Sequence, residues 1–282
     1  MTIEIKKLIK NDFDAVINMD TGIENDYVIR IFYRLATSDT QGLFGLYEHG
    51  QLASIAGYTL FHDTFAMLGR LRTDRNYFSK GYSTQLMNEM CSYLQQFPSI
   101  KWIGANTQTH NSSARRVIEK AGMKEVSLHH SLALKRPELL SYAKGDVWNE
   151  VTSPDEKLDL LHSIKDNPLH MFPYECYYPL PFDDVLFTLE YLAESAFFLS
   201  PDKSRFVILR NDQKGEDYAH VKYFWNDHYK QPGLFDTLLS YWGRHPDLDA
   251  VWIDFTQEAF QRVPNLEAYD VQEPWLLYGK TK

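Results

Sequence analysis

The chain has 282 residues, 44% hydrophobic and 24% charged, with 29 basic against 38 acidic side chains and a formal charge of −9; this predicts folded domains throughout, two of ordinary size being the expected division, and the 15% aromatic content argues against extended disorder. The negative charge, with no Lys/Arg-rich stripe to offset it, opposes nucleic acid as a partner. The N-terminus lacks an apolar core of signal-peptide length, no run of about 18 apolar residues suggests a membrane span, and two cysteines without a CxxC spacing, Cys91 and Cys176, indicate neither a disulfide framework nor structural zinc, so a cytoplasmic protein is expected.

Alternation predicts a first strand over residues 1–9, and Asn11 is placed to cap a helix through DFDAVINM. A second helix is expected over 27–35, after the acidic loop DTGIEND. A meander of three antiparallel strands follows, at 42–48, 52–61 and from Phe65 to Leu71, with a His49-Gly50 turn between the first two. The loop TDRNYFSKGYST leads into a helix starting at Tyr82, with Leu86, Met90 and Leu94 on one stripe and Pro98 beyond its end. Residues 101–106 read as a strand. A helix with Ala114, Val117, Ile118 and Ala121 on one face follows, capped by Asn111 and ended by Gly122, and a strand or hairpin over 123–135 completes a first domain at residues 1–136.

Residues 137–282 form the expected second α/β domain. Ser153-Pro154-Asp155-Glu156 opens a helix, strands are expected near 195–199, 205–210 and 218–225, and a helix over 234–243. An offset of 152 residues pairs Gly81 with Gly233, Leu86 with Leu238 and Met87 with Leu239, and KWIGANTQ resembles AVWIDFTQ. This half reads either as a degenerate copy of the first or as an unrelated strand-helix-strand arrangement.

A loop ending in Gly-x-Ser at a helix start turns backbone NH groups and the positive end of the helix toward one point, as a pyrophosphate requires. Phe78-x-x-Gly81-x-Ser83, followed across one helix and one strand by Asn111-x-x-Ala114 and Glu119-Lys120-Ala121-Gly122-Met123, resembles the ordered signature of the GCN5-related N-acetyltransferase (GNAT) family over about residues 1–135. The departures are Phe78, where the family carries a long polar side chain, and Ile118, where it often carries a tyrosine that protonates the leaving thiolate.

The resemblance implies an α/β fold with a mixed central sheet of the acyl-CoA N-acyltransferase type, the fourth and fifth strands splaying around the thioester. It implies acetyl-CoA as co-substrate, with Leu71, Thr73, Ser79, Lys80, Gly81, Tyr82, Ser83 and Thr84 forming the coenzyme cradle, and Asn111 and Ala114 on the pantetheine side. A backbone NH near Leu71 or Thr73 would hold the thioester carbonyl. The acceptor, a small-molecule or peptide amine, is expected beside Asp20, Glu24 and Asp26, whose carboxylates could hold a cation.

With no tyrosine at 118, the catalytic candidates are Asp74, His110 and Tyr82, and beyond them His129 and His130. Each also has an ordinary structural use, as a loop cap, helix packing or a turn residue. No His-x-x-x-His or Cys/His spacing suggests a metal. A non-catalytic acyl-CoA binder is the alternative function, and the aromatic runs YECYYPLPF and YFWNDHY could pack a core, line a pocket or form a homodimer.

Overall fold

The computed structural model describes residues 2–282; Met1, part of the expected first strand, lies outside the described residues. The chain divides into two compact units, the first made of residues up to Val126 together with Leu277–Lys282, the second of Ser127–Leu276. This division falls ahead of the expected 136/137 boundary because the strand that follows Gly122 runs unbroken and carries the chain into the second unit.

Unit 1 opens with β1 (Ile3–Lys7), α1 (Phe13–Ile17), α2 (Tyr27–Thr37), β2 (Gln41–Glu48), β3 (Gln51–Phe61) and β4 (Phe65–Thr73). Asn11 does not cap the first helix. Asp12 instead accepts the NH of Ile9 at 2.9 Å from within a 3-10 turn, so the helix begins at Phe13, one residue later than expected. β1 to β4 pair antiparallel in order. His49 and Gly50 both have positive φ, the backbone of a two-residue hairpin turn that matches strand twist. α2 buries Val28, Phe32 and Leu35 against Leu8, Leu43 and Ile55.

Next come α3 (Tyr82–Gln95), β5 (Trp102–Gln108) and α4 (Ser112–Lys120). α3 buries Leu86, Met87, Met90, Cys91 and Leu94, the stripe expected from its spacing. β5 lies parallel to β4, as a helical crossover between neighbouring strands requires. Gly122, at φ 81°, ends the α4 turn, its NH bonding Glu119 O at 2.9 Å.

β6 (Lys124–Leu134) passes into unit 2, which continues with β7 (Asn149–Val151), α5 (Pro154–His162), the hairpin β8 (Phe172–Glu175) and β9 (Tyr178–Leu180), α6 (Leu189–Glu194), β10 (Ala196–Leu199), β11 (Phe206–Gln213), β12 (Asp217–Lys222), α7 (Leu234–Gly243), β13 (Ala250–Thr256), α8 (Gln257–Phe260), β14 (Tyr269–Val271) and β15 (Trp275–Thr281). Its strands run β7-β10-β11-β12-β13-β6. The β12–β13 pair is parallel, the others antiparallel. One sheet face, with Ala219, Val221, Val251, Ile253 and Phe255, packs on Leu234, Phe235 and Leu238 of α7.

Unit 1 reads β1-β2-β3-β4-β5 and is completed beyond β5 by β15. Each unit is thus closed by a strand from the other half of the sequence: β15 beside β5 in the first, β6 beside β13 in the second. Within unit 1, Tyr278 Oη accepts from Arg115 Nε at 3.1 Å and donates to Glu119 at 3.2 Å, and Lys280 Nζ reaches Ala121 O at 2.8 Å. The Gly279 backbone lies against the Trp102 indole. These contacts fasten α4 and β5 with residues distant in sequence.

Candidate active site

β4 and β5 pair only from Phe65↔Trp102 to Leu68↔Ala105, although β4 runs on to Thr73 and β5 to Gln108. Beyond that point the strands part, and a wedge opens between their C-terminal ends. On its β4 side, Ile55 pairs with Arg72 and Gly57 with Gly69, so Arg70 and Leu71 face the single residue Ala56. Arg70 is left-handed, with φ 56°. Such a bulge re-aims backbone groups that a regular ladder would consume, and it places the Leu71 peptide at the mouth of the wedge.

Past the bulge, Ser79 (φ 65°) and Gly81 (φ 79°) both take left-handed backbone. Gly81 is the N-cap of α3, which receives no side-chain cap, so the first-turn NH groups, from Tyr82 onward, face outward without an intrahelical partner. A Cβ built on Gly81 would meet nothing within 4 Å. The glycine is therefore needed for its conformation, and the space in front of the helix end is open. Open donors at a helix N-terminus suit a phosphate.

Side chains of the loop have other occupations. Thr73 Oγ1 lies 2.8 Å from Ser83 Oγ and 3.0 Å from Ser54 Oγ, tying the end of β4 to the first turn of α3. Lys80 turns back to Glu48 at 2.8 Å, and the Tyr82 hydroxyl donates to the same carboxylate. That bond to Glu48 pushes the Tyr82 phenol up to about 12. Phe78 is exposed. The uncapped first-turn NH groups of α3 stay open.

The acidic candidates are committed to neighbours. Asp74 accepts from the Asp20 NH at 2.9 Å and from the NH and side-chain amide of Asn76 at 2.9 and 3.0 Å, so it joins two loops. Asp26, buried, takes Arg72 Nε at 2.6 Å and Nη2 at 3.0 Å while capping α2 through the Val28 NH. Burial raises its pKa, and the Arg72 and Val28 hydrogen bonds outweigh that and hold it below the usual range. Asp20 lies 3.7 Å from Arg75, and its carbonyl accepts the Arg75 NH at 2.8 Å. Glu24 is exposed. Arg72 and Arg75 are the partners that sequence spacing did not disclose; a basic residue at a strand end followed by one in the next turn is the signal they left.

On the β5 side, Asn111 accepts the Ala114 NH at 3.1 Å as the N-cap of α4, and His110 is exposed just before it. Ile118 is buried. His129 and His130 belong to unit 2. Burial pushes His129 down to about 4, and His130 stacks on Phe260 with its Nε2 2.7 Å from Gln257.

The helix cap of unit 2 has the same backbone and different surroundings. Gly233, with φ 79° and ψ −7°, caps α7 as Gly81, with φ 79° and ψ 8°, caps α3. A Cβ on Gly233, however, would lie 2.2 Å from the Asp146 carbonyl. The segment 143–148 runs over this helix end, held by Gly145 NH to Asp236 at 3.0 Å, Trp148 NH to Thr237 at 2.9 Å and Trp148 Nε1 to Pro232 O at 2.9 Å.

Among the described residues no helix is long and apolar enough to cross a membrane. Cys91 and Cys176 are both buried and unbridged.

Residues 7–123 match the family model described as the acetyltransferase (GNAT) family. No curated protein matches the chain. Among solved structures, a GCN5-related N-acetyltransferase from Sphaerobacter thermophilus is similar at 12% identity with a TM-score of 0.63, over 99% of this chain and 95% of that one. A candidate acetyltransferase from Thermoplasma acidophilum is similar at 13% identity and a TM-score of 0.58, over 99% and 100%. One from Pyrococcus horikoshii is similar at 8% and 0.56, over 99% and 89%. At such identities the likeness is one of fold, and it extends over both units.

Proposed function

We propose that unit 1, whose residues 7–123 match the acetyltransferase (GNAT) family model, transfers an acetyl group from acetyl-CoA to an amine of a small molecule or peptide by direct attack in a ternary complex. The observation that carries this reading is the parting of β4 and β5 beyond Leu68 and Ala105 beside the bulge at Arg70 and Leu71. A thioester lying in the wedge would meet a fixed backbone donor near Leu71 or Thr73. Such a donor, aimed where charge develops on the carbonyl oxygen, stabilises the transition state without reorganising.

The open first turn of α3, reached through Ser79, Lys80 and Gly81 and continuing through Tyr82, Ser83 and Thr84, suits the pyrophosphate. Asn111 and Ala114 stand on the pantetheine side. The C–N bond forms as the C–S bond breaks, CoA leaves as its thiolate and takes a proton from solvent, and the amine proton leaves to solvent or to a nearby base. Asp74 and Tyr82 are occupied by structural bonds, which leaves exposed His110 as the freer candidate. Asp26 is neutralised by Arg72, so cationic acceptors would be drawn by Glu24 and in part by Asp20.

Unit 2 supplies no second coenzyme site on this reading, because segment 143–148 fills the place that phosphate would need. A degenerate copy of unit 1 is the origin we infer for unit 2, supported by the matched strand order and the paired helix caps. A cytoplasmic location fits the two free cysteines.

The commitment of Asp74 and Tyr82 to structural bonds favours one other reading, a non-catalytic acyl-CoA binder. Incubation with acetyl-CoA and a panel of amines separates the two. Amine-dependent release of CoA thiol is the expected result, and tight binding of CoA with no release by any amine would favour the binder.

A further inference from the structure

The sheet face of unit 2 turned away from α7 carries polar side chains where a buried sheet is ordinarily apolar. Strand alternation places Arg210 and Asp212 of β11, His220 and Lys222 of β12 and Asp254 of β13 on that face. Cys176, from the turn of the β8–β9 hairpin, joins them. One ligand atom each from Cys176, Asp212 and His220 lies within 4.8 Å of the others. Their separation in sequence explains why no metal-ligand spacing was visible.

The surroundings are organised as a metal site would need. His220 Nε2 lies 3.0 Å from Asp254 Oδ2, and Asp254 Oδ1 is fixed by Ser131 Oγ at 2.6 Å and Trp252 Nε1 at 3.1 Å. A carboxylate can only accept, so Nε2 carries the proton and Nδ1 presents its lone pair to the cluster. A histidine oriented by a carboxylate in this way is the usual support of a metal-bound imidazole. The Cys176 NH donates to Asp212 at 2.6 Å, which holds carboxylate and thiol side by side.

The charges also fall short by one cation. Arg210 pairs with Glu194 at 2.6 Å, and Lys214 with Glu175 at 2.8 Å and Asp212 at 4.0 Å. With the pair of Arg210 and half-exposed Glu194 set aside, Lys214 and Lys222 are two cations facing the three carboxylates of Glu175, Asp212 and Asp254. Buried charge of one sign is costly unless it is compensated. A divalent ion bound with a thiolate adds two positive charges and one negative, which restores neutrality.

We propose that Cys176, Asp212 and His220 bind a divalent metal ion of the zinc class, and that Lys222 is the cation that holds the place when the metal is absent. The sulfur, nitrogen and oxygen donor set favours a borderline ion over calcium or magnesium. Lys222 Nζ donates to His220 Nδ1 at 3.1 Å, the lone pair that the metal would take. An adjoining cavity of about 60 Å³, with Glu175, Arg210 and Asp212 in its wall, offers the displaced ammonium a carboxylate partner and the ion a water for its open position. On binding, the metal–sulfur bond forms as the Cys176 proton leaves to solvent, and the bond to Nδ1 replaces the hydrogen bond from Lys222.

The test is titration of the chelator-treated full chain with Co²⁺, whose thiolate charge-transfer absorption reports a bound cysteine, followed by displacement with Zn²⁺. One equivalent per chain with that band is expected, at least tenfold weaker binding without the band in Cys176→Ser, and at least tenfold weaker binding in His220→Gln. Lys222→Met should bind several-fold more tightly than the parent, because the competing cation is gone. Absence of a thiolate band in the unmutated chain overturns the proposal even if the variants fail to fold, as does a band that survives in folded Cys176→Ser. Affinity unchanged or weaker in folded Lys222→Met overturns the role given to the lysine.

Discussion

Arg72 grips Asp26 through two hydrogen bonds, Nε to Oδ2 at 2.6 Å and Nη2 to Oδ1 at 3.0 Å, with both side chains largely buried. The pair joins the end of β4, just past the bulge, to the cap of α2. Asp74 and Arg75 add bonds from the β4–α3 loop to Asp20. The loop beside which an acceptor is expected is therefore fastened to the loop expected to hold the coenzyme.

Replacing Arg72 by Met leaves Asp26 capped and without its cation, and should destabilise the protein by about 2–4 kcal/mol. Because the folded-state pKa of Asp26 is depressed, its contribution is present above the unfolded carboxylate pKa and is lost as pH falls through the folded one. The stability gap between parent and Arg72→Met should thus narrow on acidification below about pH 4. Urea titrations at pH 6 and pH 3 check this; an equal gap at both would show that the pair is not the source.

Gly81 and Gly233 share one backbone conformation and differ in the room around it. Alanine at Gly81 should cost about 1–2 kcal/mol, the expense of a left-handed residue. Alanine at Gly233 should exceed about 3 kcal/mol, because the added carbon strikes the Asp146 carbonyl. Chemical denaturation of the two variants decides, and equal costs would argue that segment 143–148 yields easily.

Coenzyme affinity provides the matching contrast. Gly81→Glu places a carboxylate at the open end of α3 and should weaken CoA binding at least tenfold, with Gly81→Ala losing much less. Calorimetric titration should also give one site per chain. Two equivalent sites, or full affinity in Gly81→Glu, would contradict the assignment.

Tyr82→Phe removes a hydroxyl that donates to Glu48, and Ile118→Val trims a buried side chain by one methylene, at about 0.5–1.5 kcal/mol. Both should leave turnover within a few fold. A large loss in folded Tyr82→Phe would place its phenol in the chemistry after all.

Much of unit 1 was legible because its signals are local. The Leu86, Met90 and Leu94 stripe, the His49-Gly50 turn and the Gly122 stop each follow from a few neighbouring residues, and each appears in the structure. Asn11 failed as a cap because Asp12, one residue on, reaches back to Ile9. The bonds of Asp74 to Asp20 and of Asp26 to Arg72 were hidden because they join residues tens of positions apart. For the same reason Cys176, Asp212 and His220 showed no pattern: tertiary structure assembles them from a hairpin turn and two strands. The bulge at Arg70 leaves no composition signal, since its non-glycine left-handed residue is held by the strands around it.

The exchange of closing strands sets an order of events during synthesis. Residues 1–126 leave the ribosome first, yet β5 keeps an unpaired edge, and Arg115 and Glu119 lack Tyr278, until all of Ser127–Leu276 has been translated. The unit made first is the unit finished last. A nascent chain that stalls or is clipped within the second half would expose the β5 edge to proteases and to other chains, so assembly of the proposed acetyl-transfer site doubles as a check that the second half has been made.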